Sequence, residues 1–267
     1  MEINALLLSA GEGKRLRPLT LEWPKCLMPI KGRPLLEYWI LLLKELGIQN
    51  ILVNTHHKKT IMEDFLNREQ FSRFVSYVYE SKFLGTGGTL LNNIDFFKDK
   101  TTLFIHADNW CHCDFQAFLD YHRYQRPHNT IMTMMTFQTL TPSNCGIVEL
   151  DNKGVVQKFH EKVKNPPGNL ANAAIYLLEP EVLDIVQNLP DVSDFDIDVI
   201  PSLLGKIATW ENTNIHRDIG TLESLLEAQN DSVPTLDSSN PDEWQRDFES
   251  NSIHRILSTS KKVSKNI

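Results

Sequence analysis

No stretch of this 267-residue sequence is apolar over enough length to span a bilayer, and no cationic segment precedes the first apolar run, 5–8. The expectation is a cytoplasmic protein with no membrane partner. Cysteine is scarce. Cys26, Cys111, Cys113 and Cys145 include no C-x-x-C pair, and the Cys111-His112-Cys113 triplet is too tightly spaced for the usual zinc pair. Free thiols are expected. A surplus of basic residues is also missing. The net charge of −7 argues against nonspecific nucleic-acid binding, although it leaves local cation clusters open. Of the two common phosphate-loop signatures, G-x-x-x-x-G-K-[ST] does not occur, and Gly11-Glu12-Gly13 lacks the third glycine of the dinucleotide fingerprint.

What is present is a different loop. The apolar run 5–8 reads as a buried strand and is followed by Ser9-Ala10-Gly11-Glu12-Gly13. Then come Lys14, Arg15 and Arg17, a rigid Pro18, and a little further on Pro24-Lys25. Glycines allow close approach of the backbone, consecutive N–H groups in such a turn make an anion nest, and the adjoining cations can neutralise a polyphosphate. The competing reading is a tight strand-to-helix turn with two solvated cations.

Apolar runs alternate with helical patterns through the first half. Strands are expected at 5–8, 50–54, 76–79 and 102–105, and helices at 35–46, 61–67, from 89, and at 115–124. This alternation predicts βαβ units, a mostly parallel sheet and ligands at the carboxyl ends of its strands. The second half is richer in strands: 130–137, a hairpin of 147–150 with 155–159 around Asp151-Asn152-Lys153-Gly154, and 173–178. Helices are expected at 180–187 and 222–228. A 41% hydrophobic content suits one globular domain over 1–230 with a polar tail over 231–267. Within that tail 237–242 reads as a linker and 261–267 as a frayed end. Trp244, Phe248, Ile253, Ile256 and Leu257 could form a short amphipathic helix that adds little to the core.

Gly11-Glu12-Gly13-Lys14-Arg15-Leu16-Arg17-Pro18-Leu19-Thr20, with Pro24-Lys25 beyond, resembles the G-x-G-x-R-L-x-P-L-T…P-K signature of the sugar-1-phosphate nucleotidylyltransferases. Further segments follow in family order. Glu80 to Leu90 resembles E-x-x-x-L-G-T-[AG]-G, and Asp108 ends a segment similar to the family's N-G-D strand. Phe159-His160-Glu161-Lys162 resembles F-x-E-K-P, Asn172 lies in an N-x-G-I-Y-like stretch, and Asp194 to Pro201 resembles D-[FY]-x-x-D-V-[IL]-P. His216-Arg217-Asp218-Ile219-Gly220-Thr221 is similar to W-x-D-[IVT]-G-T. Departures from the pattern are Lys14 for Thr, His106-Ala107 for Asn-Gly, Val163 for Pro, Ala174 for Gly and His216 for Trp. The hexapeptide repeats that some relatives carry are absent.

The resemblance implies a Rossmann-like, three-layer α/β nucleotide-diphospho-sugar transferase fold with a mostly parallel mixed sheet. It also implies an enzyme that moves a nucleotidyl group from an NTP to a sugar 1-phosphate with release of pyrophosphate. Two anions must be held together and neutralised, with no covalent nucleophile required. Leu8, Ala10, Gly11, Gly13, Lys14 and Arg15, with Gly85, Thr86, Gly88 and Asp108, would line the nucleotide. Arg15 would grip the β- and γ-phosphates, and Lys25 the α-phosphate or the incoming phosphate. Asp108 and Asp218 would hold Mg²⁺, while Glu161, Lys162 and Asn172 would take the sugar phosphate. Residue by residue, plainer roles compete: Asp108 and Asp218 as turn or helix caps, Glu161-Lys162 as an ordinary charge pair. The G-T-G-G form resembles the guanylyl branch, acting on mannose or heptose 1-phosphate. A uridylyltransferase for an amino-sugar phosphate such as N-acetylmuramate 1-phosphate, or a nucleotide-sugar-binding regulatory subunit without turnover, are the alternatives. A homodimer is compatible with the family.

Overall fold

The computed structural model describes residues 2–233 and 241–264. The 237–240 part of the expected linker, and 265–267 of the expected frayed end, lie outside the described residues. The fold is α/β with a mixed sheet. The chain resolves into two compact units, each assembled from separated segments: Met1–Leu7, Lys82–His106 and Cys113–His216 in the first, Leu8–Ser81, Ala107–His112 and Arg217–Ile267 in the second.

In the first unit the long strand Leu170–Leu178 is the organising element. It runs antiparallel to Thr101–His106, to Met132–Gln138 and, through Ala171, to Gly146–Leu150. Gly146–Leu150 pairs antiparallel with Val156–Glu161 as the predicted hairpin, and Ile207–Glu211 adds parallel to Met132–Gln138. Ile175, Leu177, Leu103, Phe104, Met134 and Ile147 are fully buried, as expected for strands covered on both faces. Register slips on Leu170–Leu178 between Asn172 and Tyr176, where Ala174 takes a φ of 54°. This bulge explains the family's glycine at that position. A β-carbon in the left-handed region is strained, and the bulge re-aims the Asn172 side chain.

In the second unit Asn50–Thr55 and Val75–Tyr79 pair parallel, joined through the helix Lys59–Leu66. The helix Leu35–Glu45 buries Leu35, Leu36, Ile40 and Leu43, recurring at helical spacing, and stops at Gly47 with φ 76°. The tail differs from its sequence reading. Two helices form, Glu243–Ser250 and Ser252–Ser264, separated at Asn251. Phe248, Ile253 and Leu257 are 2%, 4% and 6% exposed, so the tail supplies core. Asp242 caps the first of these helices by accepting from the Gln245 N–H at 2.9 Å, and it accepts from Arg68 Nε at 2.7 Å.

Candidate active site

The glycine loop of the second unit is built by short-range bonds. Gly13 sits at φ 61°, a conformation glycine reaches without strain, and an added β-carbon would meet Thr20 Cγ2 at 2.8 Å and Lys25 Cβ at 3.1 Å. The Thr20 hydroxyl donates to the Gly13 carbonyl (2.9 Å). A ring nitrogen of His57, which sequence reasoning gave no role, lies 3.0 Å from the Thr20 carbonyl. Upstream, the Ser9 N–H and hydroxyl bond to Asn54 Oδ1 and its carbonyl at 2.8 and 2.5 Å, fixing the loop's entry.

Lys25 organises the charges. Its side chain is 7% exposed, and Nζ donates to Asp108 Oδ2 at 2.7 Å and to Asp218 Oδ1 at 2.6 Å. Arg15 Nη2 donates to the other oxygen of Asp218 at 2.6 Å and remains largely open to solvent. The structure thus brings together four residues that are 203 positions apart at the extremes. Asp108 reaches this place because the Ala107 N–H donates to the Leu8 carbonyl (3.0 Å), while the Trp39 indole N–H holds the Asn109 carbonyl (3.0 Å). Asp218 is freed from helix capping: Thr221 accepts from the Ser224 N–H at 3.2 Å and so caps Leu222–Ala228. Gly220 lies against this cluster: a β-carbon there would meet Arg15 Nη2 at 2.6 Å and Asp218 Oδ2 at 2.9 Å, so these side chains would have to shift. Lys14 stays at the surface beside Glu12 (3.4 Å).

Burial alone would raise the Asp218 carboxyl, but the Lys25 ammonium and the Arg15 guanidinium outweigh it and hold the group below the ordinary aspartate value. Burial likewise works against the charged form of Lys25, and the two carboxylates outweigh it, so that its pKa is raised. A folded value depressed for Asp218 means that its contribution to stability is complete above the ordinary carboxylate range and fades as pH falls through the depressed value. In metal-free protein carrying Lys25→Met, the Asp218 carboxyl is expected to titrate at a higher pH than in the wild type, and this acid-side loss of stability moves up with it. A ¹³C NMR titration of the side-chain carboxyls checks this. Identical midpoints in the two proteins would refute the electrostatic account.

Two hard carboxylates converging on one ammonium are already arranged around a cation. Among the described residues no group of three or more His, Cys, Asp or Glu side chains is placed to hold a metal ion. A pair of carboxylate donors, completed by phosphate and water oxygens, suits Mg²⁺.

A second constellation lies in the first unit. Glu161 and Lys162, at the end of Val156–Glu161, form an ion pair, with Lys162 at φ 47°. Opposite Glu161 in register is Gly146, which sequence reasoning missed; a β-carbon there would meet Glu161 Oε2 at 2.7 Å and Phe159 Cζ at 2.4 Å. Asn172 is fixed at both ends of its amide. Oδ1 accepts from the Ala174 N–H (2.9 Å), and Nδ2 donates to the Tyr176 hydroxyl (2.6 Å), which in turn donates to Asp196 Oδ1 (2.7 Å). Burial and the Asp196 charge push the Tyr176 phenol well above its ordinary value, which keeps it a donor.

Gly85, Thr86 and Gly88 are also in this unit, and here the reason for the glycines changes. They open the helix Gly85–Asn92, which begins four residues earlier than the sequence suggested. The Gly87 and Gly88 N–H groups donate to the Ser193 carbonyl at 2.8 and 3.0 Å, and Thr86 Oγ1 accepts from the Phe195 N–H at 2.7 Å. A β-carbon on Gly85 would meet the Ser193 carbonyl oxygen at 2.5 Å. The close approach that excludes larger residues is therefore to 192–195, and the expected approach to a base and ribose is not needed to explain it. Asp194 to Pro201 packs inward through Phe195, whose ring lies 4.6 Å from that of Phe104 and 5.1 Å from that of Tyr176.

The model of the nucleotidyl transferase family matches residues 4–233. The mannose-1-phosphate guanylyltransferase of Mycobacterium tuberculosis is 30% identical over 237 residues, covering 87% of this chain and 65% of the relative. Mannose-1-phosphate guanyltransferase 2 of Candida glabrata is 28% identical, covering 84% of this chain and 63% of its own length. The chain thus spans slightly less than two thirds of these curated relatives. A solved structure of a putative glucose-1-phosphate thymidylyltransferase from Bacillus anthracis superposes with a TM-score of 0.76 at 22% identity, over 91% of this chain and 99% of that one, a likeness of fold. With its glycine loop, its Lys25-bridged carboxylates and a family match over 4–233, the chain belongs to the nucleotidyl transferase family.

Proposed function

We propose that this protein transfers a nucleotidyl group from an NTP, with GTP favoured, to a sugar 1-phosphate, releasing pyrophosphate. The observation that carries this reading is the convergence of Asp108, Asp218 and Arg15 on the buried Lys25 beside the Gly13 turn. The guanylyl preference draws on relatives named as mannose-1-phosphate guanylyltransferases and on the Gly85-Thr86-Gly87-Gly88 form.

In this reading a phosphate oxygen of the sugar attacks the α-phosphorus in line, and the P–O bond to the pyrophosphate breaks as the new one forms. The loop of Leu8, Ala10, Gly11, Gly13 and Lys14 lies along the triphosphate. Lys25 neutralises the α-phosphate. Arg15, the more exposed cation, exchanges Asp218 for the β- and γ-phosphate oxygens and stabilises the departing pyrophosphate. Asp108 and Asp218 would hold Mg²⁺, whose chemistry is to polarise phosphoryl oxygens and offset their charge. In the other unit Lys162 takes the sugar phosphate, while Glu161 and Asn172 accept and donate hydrogen bonds to sugar hydroxyls. The catalytic domain is 1–230 followed by the 231–267 tail, and the location is cytoplasmic. Among the described residues no helix is long and apolar enough to cross a membrane.

Pyrophosphate release from a panel of four NTPs with mannose, heptose, glucose and amino-sugar 1-phosphates tests the proposal. Turnover with GTP and a hexose or heptose 1-phosphate is expected to lead the panel. Nucleotide binding with no pyrophosphate release from any pair would refute it in favour of a binding subunit.

A further inference from the structure

We infer that Trp244 and Phe248 of the Glu243–Ser250 helix are positioning residues for the nucleotide site and act on Lys25 through Trp23; the inference rests on the phosphate-binding role proposed for Lys25. Trp23 stands between the two parts of the loop that carry its chemistry. Its backbone N–H donates to the Leu19 carbonyl (3.1 Å) and closes the short helix Leu19–Glu22, which contains the Thr20 whose hydroxyl holds Gly13. Its indole N–H donates to the Leu27 carbonyl (2.9 Å) and so spans the turn Lys25–Leu27 from outside. Pro24, with φ −62°, links the two turns rigidly. The ring orientation therefore governs the tie to the Lys25–Leu27 turn, while the backbone of the same residue closes the helix that carries Thr20.

That orientation is set by the tail. The Trp23 ring stacks on Phe248 (5.6 Å, 28°) and lies 6.4 Å from Trp244, and Trp244 stacks on Phe248 (5.1 Å, 18°). Trp244 is itself pinned, edge-on to Phe65 at 5.0 Å and with the Arg68 guanidinium 4.9 Å from its ring centre. Arg68 in turn bonds Asp242, the cap of the same helix, at 2.7 Å. Without the helix Trp23 would lose the rings packed against it, and its side chain would regain rotamer freedom. The Lys25 turn would then lose the indole tie to the Leu27 carbonyl.

Two variants test this in the full-length protein. In Trp244→Ala, ligand-free amide exchange over 18–28 should quicken about tenfold, the effect of losing one net hydrogen bond of about 1.4 kcal/mol, with 50–55 unchanged. Trp23→Phe keeps a ring for stacking but removes the N–H. It should keep near-wild-type thermal stability yet lose roughly tenfold in kcat/KM for the NTP, with KM for the sugar phosphate within about twofold. Wild-type exchange over 18–28 in Trp244→Ala overturns the inference, as does an NTP kcat/KM in Trp23→Phe equal to the wild type. If the wild type itself transfers no nucleotide, the functional reading fails while the exchange arm still decides whether the tail orders the loop.

Discussion

Asp218→Asn is expected to cut kcat by more than about a hundredfold while leaving the fold intact, because it removes the charge that both Lys25 and Arg15 now face. Asparagine keeps the shape, so the protein should still fold, with a loss of stability limited by the partial exposure of Asp218 and by Asp108, which still faces Lys25. Function changes for two reasons. The Mg²⁺ donor pair loses one anion, and the two cations lose the partner that holds them at the loop. Asp108→Asn should behave similarly, since its Oδ2 meets the same ammonium at 2.7 Å. Steady-state pyrophosphate release at saturating Mg²⁺, with circular dichroism as the control, provides the measurement. A near-normal kcat in either variant would remove the metal-site assignment.

The largest effect on stability is expected from Arg68→Met. Arg68 and Glu37 side chains are each 3% exposed and paired at 2.5 Å through Nη1, with Asp242 accepting from Nε at 2.7 Å. Removing the guanidinium leaves Glu37 buried with Arg33, at 3.4 Å, as its one ion-pair partner among the described residues. Breaking a buried pair from one side costs about 3–5 kcal/mol. For a protein of this size that lowers Tm on the order of 10 °C. Asp242→Asn, at a partly exposed carboxylate, should lower it far less. Thermal unfolding of the two variants separates the cases; an Arg68→Met protein that melts within about two degrees of the wild type would show the triad to be inert.

That triad marks where sequence reading stops. The strands 50–54, 76–79 and 102–105 are visible because β-branched and aromatic residues fill short runs, and the 35–46 helix because its apolar residues repeat at helical spacing before Gly47. Asp108, Asp218, Arg15 and Lys25 are legible as residue types at motif positions. Their convergence is not, because nothing local signals that one ammonium will bridge two carboxylates that lie 83 and 193 residues away in sequence. The helix opening at Gly85 is read late because glycine disfavours helices, and here a tertiary contact with Ser193 overrides propensity. Gly146 is silent in sequence for a related reason, and Gly220 is visible there only as a motif position. What excludes a side chain at Gly146 is the ring of Phe159, and that lack of space is a property of the folded neighbours.

Neither compact unit is a continuous stretch of chain: the first is made of three segments and the second of another three. No single cut in the gene can therefore release either one intact. The residues of the second constellation, from Gly146 to Asp196, nonetheless share one segment, Cys113–His216, whereas Lys25, Asp108 and Asp218 come from three. A contiguous exchange between relatives could therefore carry the second constellation whole, while the Lys25 cluster would stay intact only if all three of its segments came from one parent.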